Sequence, residues 1–232
     1  MILYEGPSAL DGEPIVAVMT GLKKKSNNTK TGDMLQVWIL RADIEPHKAW
    51  KDGSYKSVCG DCIHGGDHAN DCYVLLHNAP LSVYRAYKRG IYSKANPGMV
   101  IDRAVRWGAF GDPTAIPFHV ALPYLEATDK RTGYTHQWLA RPWLANPWRP
   151  YIMASVDTLK EANKAEASGW RYFRVTGSYD TLQGREQVCA SDSVGISCAA
   201  CRKCDGASNN KPSQVIIVHG AKAKRSDYAA AR

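Results

Sequence analysis

The chain carries seven cysteines, at positions 59, 62, 72, 189, 198, 201 and 204, and all of them fall in two short stretches. Cysteines used as small core residues scatter along a sequence, whereas grouped ones point to a shared ligand. In the first stretch Cys59-Gly60-Asp61-Cys62 is followed by Cys72-Tyr73, with His64 and His68 between. A Cys-x-x-Cys turn brings two thiolates to the same side, and Gly60 relaxes that turn, so the pair can grip one metal. Three cysteines with His64 or His68 would complete a tetrahedral zinc site. Three cysteines alone would hold three corners of a cubane iron–sulfur cluster and leave one iron open.

The second stretch, Cys198-Ala199-Ala200-Cys201-Arg202-Lys203-Cys204, is a Cys-x-x-Cys-x-x-Cys run with Cys189 available as a fourth ligand. Zinc modules usually supply their ligands in separated pairs, whereas three evenly spaced thiolates match the run that wraps a cubane in ferredoxins. The run departs from that pattern at Ser208, where a further cysteine would stand. Arg202 and Lys203 would offset the negative charge of a thiolate-ligated cluster and raise its potential. The expected cofactor is therefore an iron–sulfur cluster of the 4Fe–4S type, with zinc as the alternative. Spacing alone leaves open whether the seven cysteines share one composite site or form two. A disulfide framework is disfavoured by the odd count and by a length that needs no staples. The first fourteen residues also carry Glu5, Asp11 and Glu13 where an export signal would be basic and then apolar. The expected location is the cytoplasm.

These loops need a scaffold, and the apolar pattern supplies one. Pro14–Met19 and Leu35–Leu40 read as strands, Leu81–Arg89 as a helix stopped by Gly90, Met99–Trp107 as a strand, and residues 114–128 as a helix. Tyr134–Leu139 reads as a strand and the Pro- and Trp-rich stretch 141–150 as an irregular connection. The clearest unit is Tyr151–Val156, an Ala-, Glu- and Lys-rich helix over Thr158–Ser168 closed by Gly169, then Arg171–Val175. Strand, helix and strand in that order require parallel pairing and a right-handed crossover. A last strand spans Gln214–His219. The pattern predicts an α/β fold, a partial or irregular (β/α) barrel with mostly parallel strands and two cysteine-rich metal-binding loops, in one domain over 1–232. Such folds gather function at the C-terminal ends of their strands. That rule offers Asp112, His136 and Asp157 as candidate catalytic residues, beside Arg106, Ser155 and Cys189. Asp157 before a helix also suits an N-cap, and His136 beside Trp138 suits a hydrogen-bonded core position.

The net charge of +8 is unevenly spread. Residues 21–32 contribute +4 and residues 221–232 contribute +3, which leaves the other 208 residues at +1. A groove that binds nucleic acid spreads Lys and Arg over a face, so nucleic acid is a disfavoured partner, and the basic tail 221–232 is expected to be mobile. No run approaches the roughly 18 apolar residues of a membrane span.

Asn27–Gln36, the Cys59/Cys62/Cys72-Tyr73 motif, Ser155-Val156-Asp157, Cys189-Ala190-Ser191, Cys198–Cys204 and Val218-His219-Gly220, kept in this order, resemble a family of uncharacterised cysteine-rich bacteriophage proteins. The resemblance implies a phage origin, residence in the host cytoplasm and iron–sulfur binding on a barrel-like fold, without a known reaction. A more distant likeness is to radical S-adenosylmethionine enzymes, in which three cysteines, the last followed by an aromatic residue, come after the first barrel strand. Cys72-Tyr73 is similar to that ending, but the spacing of Cys59, Cys62 and Cys72 is wider, and no glycine-rich cofactor segment is recognisable. The expected function is a phage-encoded iron–sulfur protein, redox-active through electron transfer or radical or reductive chemistry. Its redox partner or small-molecule substrate is not named by the sequence. The alternative is a zinc-stabilised nucleic-acid-binding protein with structural metals.

Overall fold

The computed structural model describes residues 1–23, 28–68, 72–207 and 210–218. Nine strands form one sheet: β1 (Ile2–Pro7), β2 (Pro14–Thr20), β3 (Leu35–Arg41), β4 (Val105–Phe110), β5 (Arg131–Thr135), β6 (Met153–Val156), β7 (Tyr172–Thr176), β8 (Glu186–Val188) and β9 (Ser213–Ile217). Their order is β1-β2-β3-β4-β5-β6-β7-β9-β8. The first two pairings are antiparallel and every later one is parallel.

The run of neighbours from β3 to β7 follows the sequence, each strand being added on the same side of the last. Right-handed crossovers then carry the intervening helices over one face and leave the other face clear. A barrel wall grows this way, but here β1 and β8 stand at opposite edges and do not pair with each other, so the sheet is open rather than closed.

The strands owe their places to different physics. Ile15–Met19 of β2 and Leu35, Val37, Ile39 and Leu40 of β3 are wholly buried, as continuous apolar runs must be when both faces are covered. By contrast β5, with the sequence RTGYT, has no apolar periodicity. Its Arg131 is buried because its guanidinium donates to the Leu125 and Thr128 carbonyls. The helices are short: α1 (Pro46–Asp52), α2 (Lys56–Cys59), α3 (Ala79–Lys88), α4 (Phe118–Glu126), α5 (Gln137–Ala140), α6 (Pro142–Ala145), α7 (Leu159–Ala167), α8 (Ala190–Ser193) and α9 (Cys198–Cys201). Helix α7 begins with a capping box, in which Thr158 Oγ1 accepts from Glu161 N–H while Glu161 accepts from the Thr158 N–H, and it buries Ala162 and Ala165.

Several expected boundaries move. The strand expected over 99–107 starts only at Val105, because Pro97-Gly98 begins a 3-10 turn and Asp102 takes a positive φ of 58°. The strand expected at 134–139 lies earlier, at 131–135, and residues 137–140 turn into α5. The stretch 141–150 holds α6 and a 3-10 turn at Asn146–Trp148 rather than a wholly irregular connection. The expected tail 221–232 lies outside the described residues. Among the described residues, no helix is long and apolar enough to cross a membrane.

Candidate functional site

The clear face of the sheet walls a cavity of about 450 Å³. Side chains alternate along a strand, so Arg106, Gly108 and Phe110 of β4 and Thr132 and Tyr134 of β5 face into it together. All seven cysteines line the same cavity, and none is in a disulfide.

Cys198, Cys201 and Cys204 stand toward the end where the strands begin, and Cys189, which follows β8, faces them across the cavity. Helix α9 docks ahead of β3: the Cys198 N–H donates to the Lys30 carbonyl at 2.9 Å and the Ala199 N–H to the Thr31 carbonyl at 3.1 Å. The Cys204 carbonyl accepts from Gly133 of β5, and the Cys189 N–H donates to Val215 of β9 at 2.8 Å. The loop is clamped by buried Arg171, which donates to Asp205 Oδ1 at 3.0 Å and to the carbonyls of Gly206, Lys203 and Pro212 at 2.8, 2.6 and 2.7 Å. At Gly206 (φ 73°) a Cβ would stand 2.5 Å from the Tyr151 amide nitrogen, so only glycine lets the loop approach so closely. Burial pushes the Cys204 thiol far up, opposed by the adjacent Tyr134 hydroxyl, and the neighbouring thiols raise it further. Burial and Cys189 also raise Cys198, opposed by Arg106.

Cys59, Cys62 and Cys72 sit on the long connection from β3 to β4. Cys59 closes α2, and Gly60 turns the chain at φ 56°, where a Cβ would lie 2.5 Å from the Gln137 amide group. Gln137 Nε2 in turn donates to the Cys59 carbonyl at 3.1 Å. Burial, Cys62 and Cys72 hold the Cys59 thiol high. Burial also pushes Cys62 up to about 12, although the His64 N–H donates to it.

Of the two histidines offered by the spacing, His64 lines the cavity, whereas His68 is 46% exposed beside Asp67 and is absent from its lining. The imidazole of His64 meets Asp157, with Nε2 3.2 Å from Oδ1. His136 Nε2 lies 3.9 Å from the other oxygen, Oδ2, and the two rings stand edge to face at 5.5 Å. Asp157 is buried. Burial lowers the pKa of His136, opposed by the Asp157 charge.

Asp112, the third candidate, has a different part. Its Oδ1 accepts from the Thr114 amide and hydroxyl at 3.0 and 2.8 Å, and its Oδ2 from the Thr135 hydroxyl and the His136 N–H at 3.0 and 2.9 Å. It caps one turn and fixes the backbone of His136.

The two thiol sets are linked. Arg106 Nη2 donates to the Tyr73 hydroxyl at 2.7 Å, next to Cys72, while its charge acts on Cys198. Tyr134 touches Cys204, and His136, two residues on and about 7 Å further along the chain, faces His64. Ser155 lines the cavity near the end of β6. His136 and Asp157, offered by the strand-end rule, meet His64 at that end, but Cys198–Cys204 belongs to the opposite ends of the strands. Cys189 follows β8, a three-residue strand at the sheet edge, rather than β7 as expected. Arg106, expected at a strand's C-terminal end, stands instead near the start of β4, and Tyr134 and Arg171 have no motif, only the alternation along β5 marking the first of these two.

A single zinc ion with 2.3 Å bonds to sulfur would hold its thiolates about 3.8 Å apart. Among the described residues, the group of three or more His, Cys, Asp or Glu ligand atoms that all lie within 4.8 Å of one another is His64, His136 and Asp157. The thiols are spread more widely than one tetrahedral ion requires. No family model, curated protein or solved structure matches this chain.

Proposed function

We propose that this protein is a redox-active iron–sulfur protein, with two cysteine-rich metal-binding loops on an opened, barrel-like sheet. The observation that carries the reading is that seven thiols from two distant sequence clusters wall one cavity as a set of four and a set of three. Cys189, Cys198, Cys201 and Cys204 would hold a closed cluster suited to electron transfer. Cys59, Cys62 and Cys72 would hold a cluster with a replaceable ligand, able to meet a substrate in the cavity. Bound there, such clusters supply one-electron chemistry.

The protein's own groups then tune and position. Arg106 places a cation between the two sets and offsets their negative charge, and the Tyr134 hydroxyl beside Cys204 favours the charged form of that ligand sulfur. Both act to raise a cluster's potential. Arg171 and Gly206 fix the four-cysteine loop, while Gln137 and Gly60 fix the three-cysteine turn. The likeness to cysteine-rich phage proteins suggests the setting, a phage-encoded protein in the host cytoplasm. The absorbance spectrum of anaerobically purified protein tests the reading: a brown protein with a broad band near the visible supports it, and a colourless zinc protein overturns it.

A further inference from the structure

We propose that His64, His136 and Asp157 form a second kind of metal site, a mononuclear centre for a first-row divalent cation, in the wall of the same cavity. Two imidazole nitrogens and one carboxylate lie within 4.8 Å of one another. They come from three separate connections, those following β3, β5 and β6, so the fold rather than local sequence assembles them. The donor set is the two-histidine, one-carboxylate triad that takes Fe²⁺ and related ions and leaves coordination positions open.

The arrangement also leaves a polar atom unsatisfied. His136 Nε2 is buried without a hydrogen-bond partner, since Asp157 Oδ2 at 3.9 Å is too far to accept. A cation seated between the two rings and the carboxylate would satisfy it. The supports lie one layer back: Asp112 holds the His136 amide, and the side chain of Glu161 accepts from the Asp157 N–H at 2.9 Å. Supports of this kind orient metal ligands. Because His64 and His136 line the cavity, the open positions would take water or an oxygen donor of a bound substrate.

The site does not rest on the iron–sulfur reading and is tested separately. Manganese is a suitable probe because thiolates discriminate against it while imidazole and carboxylate accept it. Protein is purified anaerobically, freed of loosely held ions with a chelator and titrated with Mn²⁺, with the free ion followed by electron paramagnetic resonance. The parent should bind one Mn²⁺ per chain. Asp157→Asn and His136→Ala should each bind it at least tenfold more weakly, with the visible absorbance and melting temperature of the parent. No saturable Mn²⁺ binding by the parent, or parent-like affinity in both variants, overturns the proposal. Absence of brown colour in the parent would instead count against the clusters and leave the Mn²⁺ result standing.

Discussion

Arg106 Nη2 donates to the Tyr73 hydroxyl at 2.7 Å, and this one contact ties the two cysteine groups together. Tyr73 follows Cys72 of the three-thiol set, and the guanidinium acts on Cys198 of the four-thiol set. A positive charge in that position favours the more negative, reduced state of a cluster on either side. Arg106→Gln should therefore keep its iron and lower the reduction potential by roughly 50 mV, close to a tenfold shift in a one-electron couple. A potentiometric titration reads this, and an unchanged potential would show that the guanidinium is not felt by the clusters.

Arg171 is the clamp of the four-cysteine loop. Arg171→Met takes from buried Asp205 its Arg171 partner, leaving Lys211 2.8 Å away, and removes a donor from three loop carbonyls. Removing one member of a buried pair costs about 3 kcal/mol or more. The variant should melt lower and lose the iron of the four-cysteine set while retaining that of the other. A parent-like melting temperature with full iron would refute the clamp.

The fold could be read from the chain where burial is continuous. The apolar runs of β2 and β3, and the capped, alanine-faced α7 between two strands, announce themselves. In β5 what buries the strand is a set of hydrogen bonds, donated by Arg131 to the Leu125 carbonyl and by the Thr135 hydroxyl to Asp112, so no hydrophobic period marks it. Strand β1 is legible in principle from the Asp11-Gly12 turn that joins it to β2, although the expected strands do not include it, and β8 has only three residues at the sheet edge. The thiols could be read as ligands from spacing alone. That both sets face one cavity could not, because it depends on α9 folding back onto the start of β3, through bonds to Lys30 and Thr31. Nor could the meeting of His64 with Asp157, which are 93 residues apart.

The metal-free protein should be alkali-sensitive. Burial raises the Cys62 thiol from its ordinary 9.0 to about 12, and raises Cys59 and Cys204 in the same direction. A thiol with a raised folded-state pKa favours the fold while it stays neutral. That stabilisation is complete below about pH 9 and is lost as pH climbs toward 12. Chemical denaturation of the metal-free form from pH 8 to 11 should show stability falling above pH 9. A flat profile would mean that these thiols are not buried when the metal is gone.

His64 is turned to Asp157, so the three-thiol set should keep its own metal without it. Replacing His64 and His68 together by Ala should leave the cluster iron, counted as iron that survives a chelator wash together with its acid-labile sulfide, unchanged and still allow added cyanide to shift the spectrum. Loss of that iron would make His64 a fourth ligand and the site a closed one.

The central claim is that the two cysteine groups hold separate iron–sulfur clusters at one cavity. Its most direct test is the quantitation of iron and acid-labile sulfide in the anaerobically purified parent, Cys59→Ser and Cys201→Ser. Freed of loosely held ions with a chelator, the parent should contain iron and sulfide in equal amounts, and each variant should lose the share of one set and keep that of the other. Zinc without labile sulfide in the parent, or complete loss of iron from both variants while they remain folded, would contradict it.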